Sequence, residues 1–117
     1  MRLKAGIWVK AYIRRCQSAG IPAAVVRHGD DDGGTIFIRI NRLDGTSMLF
    51  GPAPAGFEEA KSDRQFTAML GGRSAPDADV EAFLAREVDF DSDLWIVEIE
   101  ARDGQHYLDG WLARSGP

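Results

Sequence analysis

Glu98 and Glu100 stand two apart in an alternating run, so a strand there projects both carboxylates from one face. Asp103 and His106 follow just beyond. Carboxylates with an imidazole are a donor set for a divalent cation, and a metal-activated water would make a small metal-dependent hydrolase or nuclease. The plainer reading puts the same two glutamates on the solvent side of a half-exposed strand. A second acid-rich group is His28 with Asp30, Asp31 and Asp32. It falls in a polar turn, where successive carboxylates repel one another and do not preorganise a site.

Asp44 with Glu59 and Lys61 supplies the acids and the lysine with which a metal-dependent nuclease binds its ion and orients water. Asp44 belongs to a tight turn, however, and Glu59-Ala60-Lys61 reads as loop. Cys16 lies on the apolar face of the first helical segment, near a helix C-terminus where the dipole opposes a thiolate. It reads as a small core hydrophobe. The serines show no His/Asp partner pattern. Gly71-Gly72-Arg73-Ser74 precedes a helix, where backbone amides and Arg73 could hold an anion. It lacks a Walker lysine and the longer glycine spacing, and also reads as a flexible link with Ser74 near the N-cap. Arg15 projects between Ala11 and Ala19 on an otherwise apolar side of its helix. The expected partners are Asp91 and Asp93, in a structural ion pair. Anion or small-ligand binding through Arg15 or Arg73 is the other use.

The chain of 117 residues carries 14 basic and 18 acidic side chains, a net charge of −4 that does not favour a phosphate backbone. Arg14, Arg15, Arg27, Arg39 and Arg42 fall in the first half, while Asp77 to Asp103 is mostly acidic; two halves meeting inside one domain account for that asymmetry. With one cysteine, no intramolecular disulfide is possible. Lys10, Arg14 and Arg15 interrupt the apolar run too early for a signal peptide, and no stretch approaches the ~20 apolar residues of a membrane helix. The expectation is one cytoplasmic domain over residues 1–117, with 109–117 as a loose C-terminal tail.

The elements that would position these groups follow from periodicity. Residues 5–19 form a helix with Trp8, Ala11, Tyr12 and Cys16 on one face, stopped by Gly20 and Pro22. Residues 23–28 form a strand. Thr35 to Arg42 alternates, with Ile36, Ile38 and Ile40 on one side and Phe37, Arg39 and Asn41 on the other. Asp32-Gly33 and Asp44-Gly45 read as hairpin turns, so a three-stranded meander is expected, closed by a strand at 46–50. Gly51 to Gly56 reads as loop, and 64–70 leans to a strand. A helix over 76–88 has Val80, Phe83, Leu84 and Val88 as its stripe. Leu94 to Ala101 is a strand, and Asp103-Gly104 turns it into a short last strand near His106–Leu108. The fold class is α+β: a small antiparallel sheet, the meander plus one to three further strands, with two helices packed on one face.

Three runs carry a resemblance: Trp8 to Cys16; Ile40-Asn41-Arg42-Leu43-Asp44-Gly45-Thr46 with Phe50-Gly51-Pro52-Ala53-Pro54; and Phe90 to Glu100. Together they are similar to the bacterial Domain of Unknown Function family 1491, from Met1 to about Leu108. The resemblance implies a small bacterial cytosolic protein and supplies no catalytic residues.

With two histidines, one cysteine and no paired nucleophile, the chain has little to build chemistry from. A non-enzymatic interaction module is expected, without cofactor, metal, nucleic acid or membrane as partner. Its partner would be a second copy or another protein. The expected surface is His106 to Leu112, where Tyr107, Leu108, Trp111 and Leu112 cluster, with Trp111 as the aromatic anchor. The alternative is that this segment folds back and caps the open sheet face.

Overall fold

The computed structural model describes residues 2–54 and 64–113. Helix α1 spans Ala5–Ser18 and buries Trp8, Val9, Tyr12 and Cys16; Ala11, expected inside, is exposed. Strands β1 (Ala23–Arg27), β2 (Ile36–Asn41), β3 (Thr46–Pro52), β4 (Phe66–Ala68) and β5 (Ala75–Pro76) precede helix α2 (Asp77–Phe90) and strand β6 (Trp95–Glu100). A short 3-10 turn occupies Leu70–Gly72, so the leaning at 64–70 ends as three strand residues and a turn. Among the described residues no helix is long and apolar enough to cross a membrane.

The fold is α+β with a six-stranded mixed sheet in the order β1-β6-β2-β3-β4, β5 pairing with the start of β3. Two expectations are corrected. The sheet is not purely antiparallel, because β6 runs parallel to β2, from Ile36 opposite Trp95 to Asn41 opposite Glu100. Nor do the first three strands make a meander, because β6 lies between β1 and β2. Asp32-Gly33 therefore closes no hairpin; its segment crosses the start of β6. There Asp30 N–H bonds the Asp93 carbonyl at 2.9 Å, and Trp95 N–H bonds Thr35 at 2.7 Å. A Cβ on Gly29 or Gly34 would collide with that same Asp93 carbonyl, so the crossing needs both glycines.

The two helices do not share a face. Ile36, Ile38, Ile40, Val97 and Ile99 pack with Trp8, Val9 and Tyr12 of α1. Phe37, Leu49, Leu94 and Ile96 pack with Val80 and Leu84 of α2. These sets alternate along β2 and β6, so one helix covers each side. A parallel pair at the sheet centre demands that arrangement, since it is buried on both faces.

Two smaller corrections concern sheet boundaries. Gly51 and Pro52, read as loop, continue β3 and pair with Thr67 and Phe66. Residues 106–108 are irregular rather than a strand; Gly104 closes a turn onto Ala101 instead.

The β2–β3 hairpin turns where expected, with Asn41 opposite Ser47. Asn41 accepts the Leu43 N–H at 2.8 Å, and Asp44 accepts both the N–H and the hydroxyl of Thr46, at 2.9 and 2.6 Å. Gly45 sits at φ 88°, in the left-handed region. Gly45→Val should therefore cost about 1 kcal/mol or more, read as a lower denaturation midpoint; an unchanged midpoint would contradict the strain. The Thr46 bonds hold the Asp44 carboxyl below the usual carboxylate range. Its contribution is then present above the unfolded pKa of about 3.9 and is lost as pH falls through the lower folded value. The stability gap between wild type and Asp44→Ala should be open at neutral pH and narrow in acid. A gap that widens in acid would refute this.

Candidate functional site

α1 lies over β6 and β2, which leaves β1 beyond its flank. Between them opens a cleft of about 450 Å³, with Ile7, Lys10 and Ile13 on one wall and Val25, His28 and Trp95 on the other. The floor follows from the crossing loop. Its carbonyls at Asp31 and Asp32 accept the Gly6 and Ala5 N–H groups at 2.9 and 3.2 Å, satisfying the first turn of α1, which has no side-chain cap. Trp95 is buried, donates Nε1–H to the Asp30 carbonyl at 2.8 Å, and carries the His28 ring at 4.1 Å between centroids. His28 Nε2 lies 3.0 Å from Asp31 Oδ1, and Lys4 lies 3.7 Å from Asp32. An imidazole on a carboxylate is two thirds of a nucleophile-activating set, but no Ser, Thr or Cys lines the cleft among the described residues.

Beside the cleft, β1 is a sheet edge, paired among the described residues only with β6. Glu100 N–H bonds the Pro22 carbonyl, so by antiparallel alternation the backbone groups of Ala23 and Val25 face outward. A bulge between Val25 and Arg27 ends the run, and Val26 is 60% exposed. The opposite edge is closed. Phe66 of β4 bonds the Trp111 carbonyl and the Ala113 N–H, each at 2.8 Å, and bridges Leu112 in parallel.

Charge is segregated around this cleft. The first 29 residues hold Arg2, Lys4, Lys10, Arg14, Arg15 and Arg27, and every acidic residue lies from Asp30 onward. Those residues build α1 and β1, so the helix beside the cleft is cationic on an acidic protein. Sequence reasoning passes over Ile7, Lys10 and Val25 because they form no motif; the acid-free opening segment is the signal that marks them.

The residues singled out by sequence lie elsewhere. Glu98 faces α2, accepts from Asn41 at 3.2 Å and stands 3.8 Å from Arg39. Glu100 is exposed at the end of β6. Among the described residues no three His, Cys, Asp or Glu side chains gather as metal ligands would. Glu59 and Lys61 lie outside the described residues. His106 is committed to structure, its Nδ1 accepting the Leu108 N–H at 2.8 Å and its carbonyl accepting the buried Tyr12 hydroxyl at 2.6 Å. Burial raises the Cys16 pKa, so it is a core thiol.

Arg15 pairs with the C-terminal segment and not with Asp91 or Asp93. It donates to the carbonyls of Tyr107 and Asp109, at 3.2 and 2.9 Å, and its guanidinium lies 3.9 Å from the Trp111 ring centroid. The reason is distance along the helix. The connector meets the loop at the N-terminal end of α1, and Arg15 sits ten residues on, roughly 15 Å away at 1.5 Å per residue. Asp91 instead accepts the Asp93 N–H at 2.9 Å. Trp111, expected as a docking anchor, stacks edge-on against Trp8 at 4.9 Å, and Leu108 is fully buried. The segment thus caps its own core, which withdraws the support for docking there. Arg73 is exposed beyond the 3-10 turn, and Ser74 accepts from Arg42 at 3.1 Å in place of capping α2.

The chain matches the family described as Protein of unknown function (DUF1491) over residues 3–109. It belongs to the DUF1491 family. A crystal structure of a DUF1491 protein from Caulobacter crescentus is 35% identical, with TM-score 0.78 over 98% of this chain and 100% of that one. A solution structure of an A. tumefaciens protein is 43% identical, with TM-score 0.73 over 86% of this chain and 87% of that one. No curated protein matches the chain.

The most connected polar group in this DUF1491 protein is Arg39, whose side chain is 11% exposed. It reaches Asp77 at 3.1 Å, Glu81 at 3.4 Å and the Ser47 hydroxyl at 3.1 Å, fastening the start of α2 to the sheet. Arg39→Met should cost about 2–3 kcal/mol, below the 3–5 of a fully enclosed pair because Glu81 reaches water. Arg39→Lys should recover only part, lacking the planar fork. Denaturant titration checks both; wild-type stability in Arg39→Met would show the network to be ornamental.

Proposed function

We propose that this protein is a non-enzymatic interaction module that takes a short, extended, acidic polypeptide segment along β1, with alternate apolar side chains entering the α1 cleft. One observation carries the reading: β1 is an open edge beside an apolar cleft, while the chain closes its other edge with its own residues 111–113. Main-chain bonds to Ala23 and Val25 provide attachment, and the cleft selects alternate side chains. The bulge at Val26 limits the added strand to a few residues, which keeps the edge from indiscriminate pairing. Lys10 and Arg14 set the preference for acid. A polypeptide suits this surface better than nucleic acid, because Trp95 is buried beneath His28 and offers no open stacking platform. The reading takes the chain to be cytoplasmic, which suits its single free, buried thiol.

The test is titration of the labelled full chain with hexapeptides alternating valine with glutamate or valine with lysine, followed by NMR. The acidic peptide should shift the amides of Ala23 and Val25 and the Trp95 indole N–H. Val25→Arg and Lys10→Glu should each weaken binding by about tenfold or more. Shifts confined to another surface, equal response to the lysine peptide, or preference for a single-stranded oligonucleotide would overturn the proposal.

A further inference from the structure

α2 ends in Phe90, which is 89% exposed, more than any other large apolar side chain among the described residues. A lone ring in water carries an unfavourable hydration term that a receiving surface would remove. Its neighbours are Asp89, Asp91 and Asp93. The connector is fixed beside the cleft, since Arg27 donates to the Ser92 carbonyl at 2.9 Å and Asp30 N–H to the Asp93 carbonyl at 2.9 Å. An aromatic knob with acidic flanks and an apolar cleft with a cationic rim therefore stand at one end of the molecule.

We infer that two copies of this chain associate by exchanging Phe90, the ring of each entering the α1–β1 cleft of the other. The inference rests on the reading of that cleft as a docking site and names a second copy as an occupant. A cleft of about 450 Å³ has room for a phenyl ring. Asp89 and Asp91 of one copy meet Lys4 and Lys10 of the other. Because knob and cleft are near neighbours, the exchange closes about a twofold axis instead of running on as a filament. The competing arrangement pairs β1 with β1 across a twofold. It sets the Lys10 and Arg14 side chains of two α1 helices against each other, with no acid in residues 1–29 of either copy to relieve them.

Sedimentation velocity of the full chain across a concentration series at low salt tests this. The wild type should pass from monomer to dimer. Phe90→Ser, at an exposed position that leaves the core intact, should weaken association roughly thirtyfold or more. Lys10→Glu should weaken it, and Lys10→Glu with Asp89→Lys should restore it. A dimer indifferent to Phe90→Ser, or a wild type monomeric at its highest soluble concentration, would overturn the inference. A monomer whose cleft still binds the acidic hexapeptide would sink the exchange alone; a monomer that binds neither would sink the docking reading with it.

Discussion

The parallel pairing of β6 with β2 is the constraint from which the remaining geometry follows. Both strands sit inside the sheet, so both present apolar side chains to each face and each face needs a helix. With β6 between them, β1 and β2 cannot be joined by a tight turn. Two strand spacings, about 9.6 Å, must be crossed. The crossing segment is held against Asp93 and Leu94 so closely that Gly29 and Gly34 cannot bear side chains. Its far side then presents the carbonyls that start α1. A single loop thereby fixes the crossover, the helix and the floor of the cleft.

Coverage explains why the cleft is there at all. A helix with its side chains is about 10 Å across, enough for two strands at 4.8 Å spacing. α1 covers β6 and β2. On its β4 side the gap is filled by Trp111 and Leu108, with Arg15 and Tyr12 holding that segment by its carbonyls. On its β1 side no described segment does the same. The protein spends its C-terminal aromatic residues on one edge and leaves the other open.

The sequence made the elements legible and their pairing much less so. The alternation of Ile36, Ile38 and Ile40 and the stripe of α1 follow from periods of 2 and 3.6 residues, which are local properties. Asp32-Gly33 and Asp44-Gly45 have the same turn chemistry, yet one crosses a strand and the other closes a hairpin. The difference comes from β6, more than fifty residues away, and no local rule contains it. Arg15 failed for the same reason. Its need for a partner was readable, but its choice between Asp91 and the carbonyls of residues 107 and 109 depended on which end of α1 each approached. Arg39 was visible only as the polar side of a strand. Its role requires knowing that α2 lies across that side, with Asp77 and Glu81 one turn apart.

Net charge conceals the feature that gives this surface direction. At −4 the chain is mildly acidic, but its first 29 residues are wholly basic and they build one flank of the fold. The exposed pair Lys4–Asp32 contributes little to stability, as solvated pairs do. Lys10 and Arg14 have no ion-pair partner among the described residues, so the helix keeps its positive field. At physiological ionic strength that field reaches about 8 Å, far enough to cover both the cleft and the outer edge of β1. An open edge is ordinarily an aggregation hazard, because any other edge can complete it. On this protein the same cations that attract an acidic segment repel a second β1. The charge on α1 therefore makes the open edge tolerable and decides what the edge will accept.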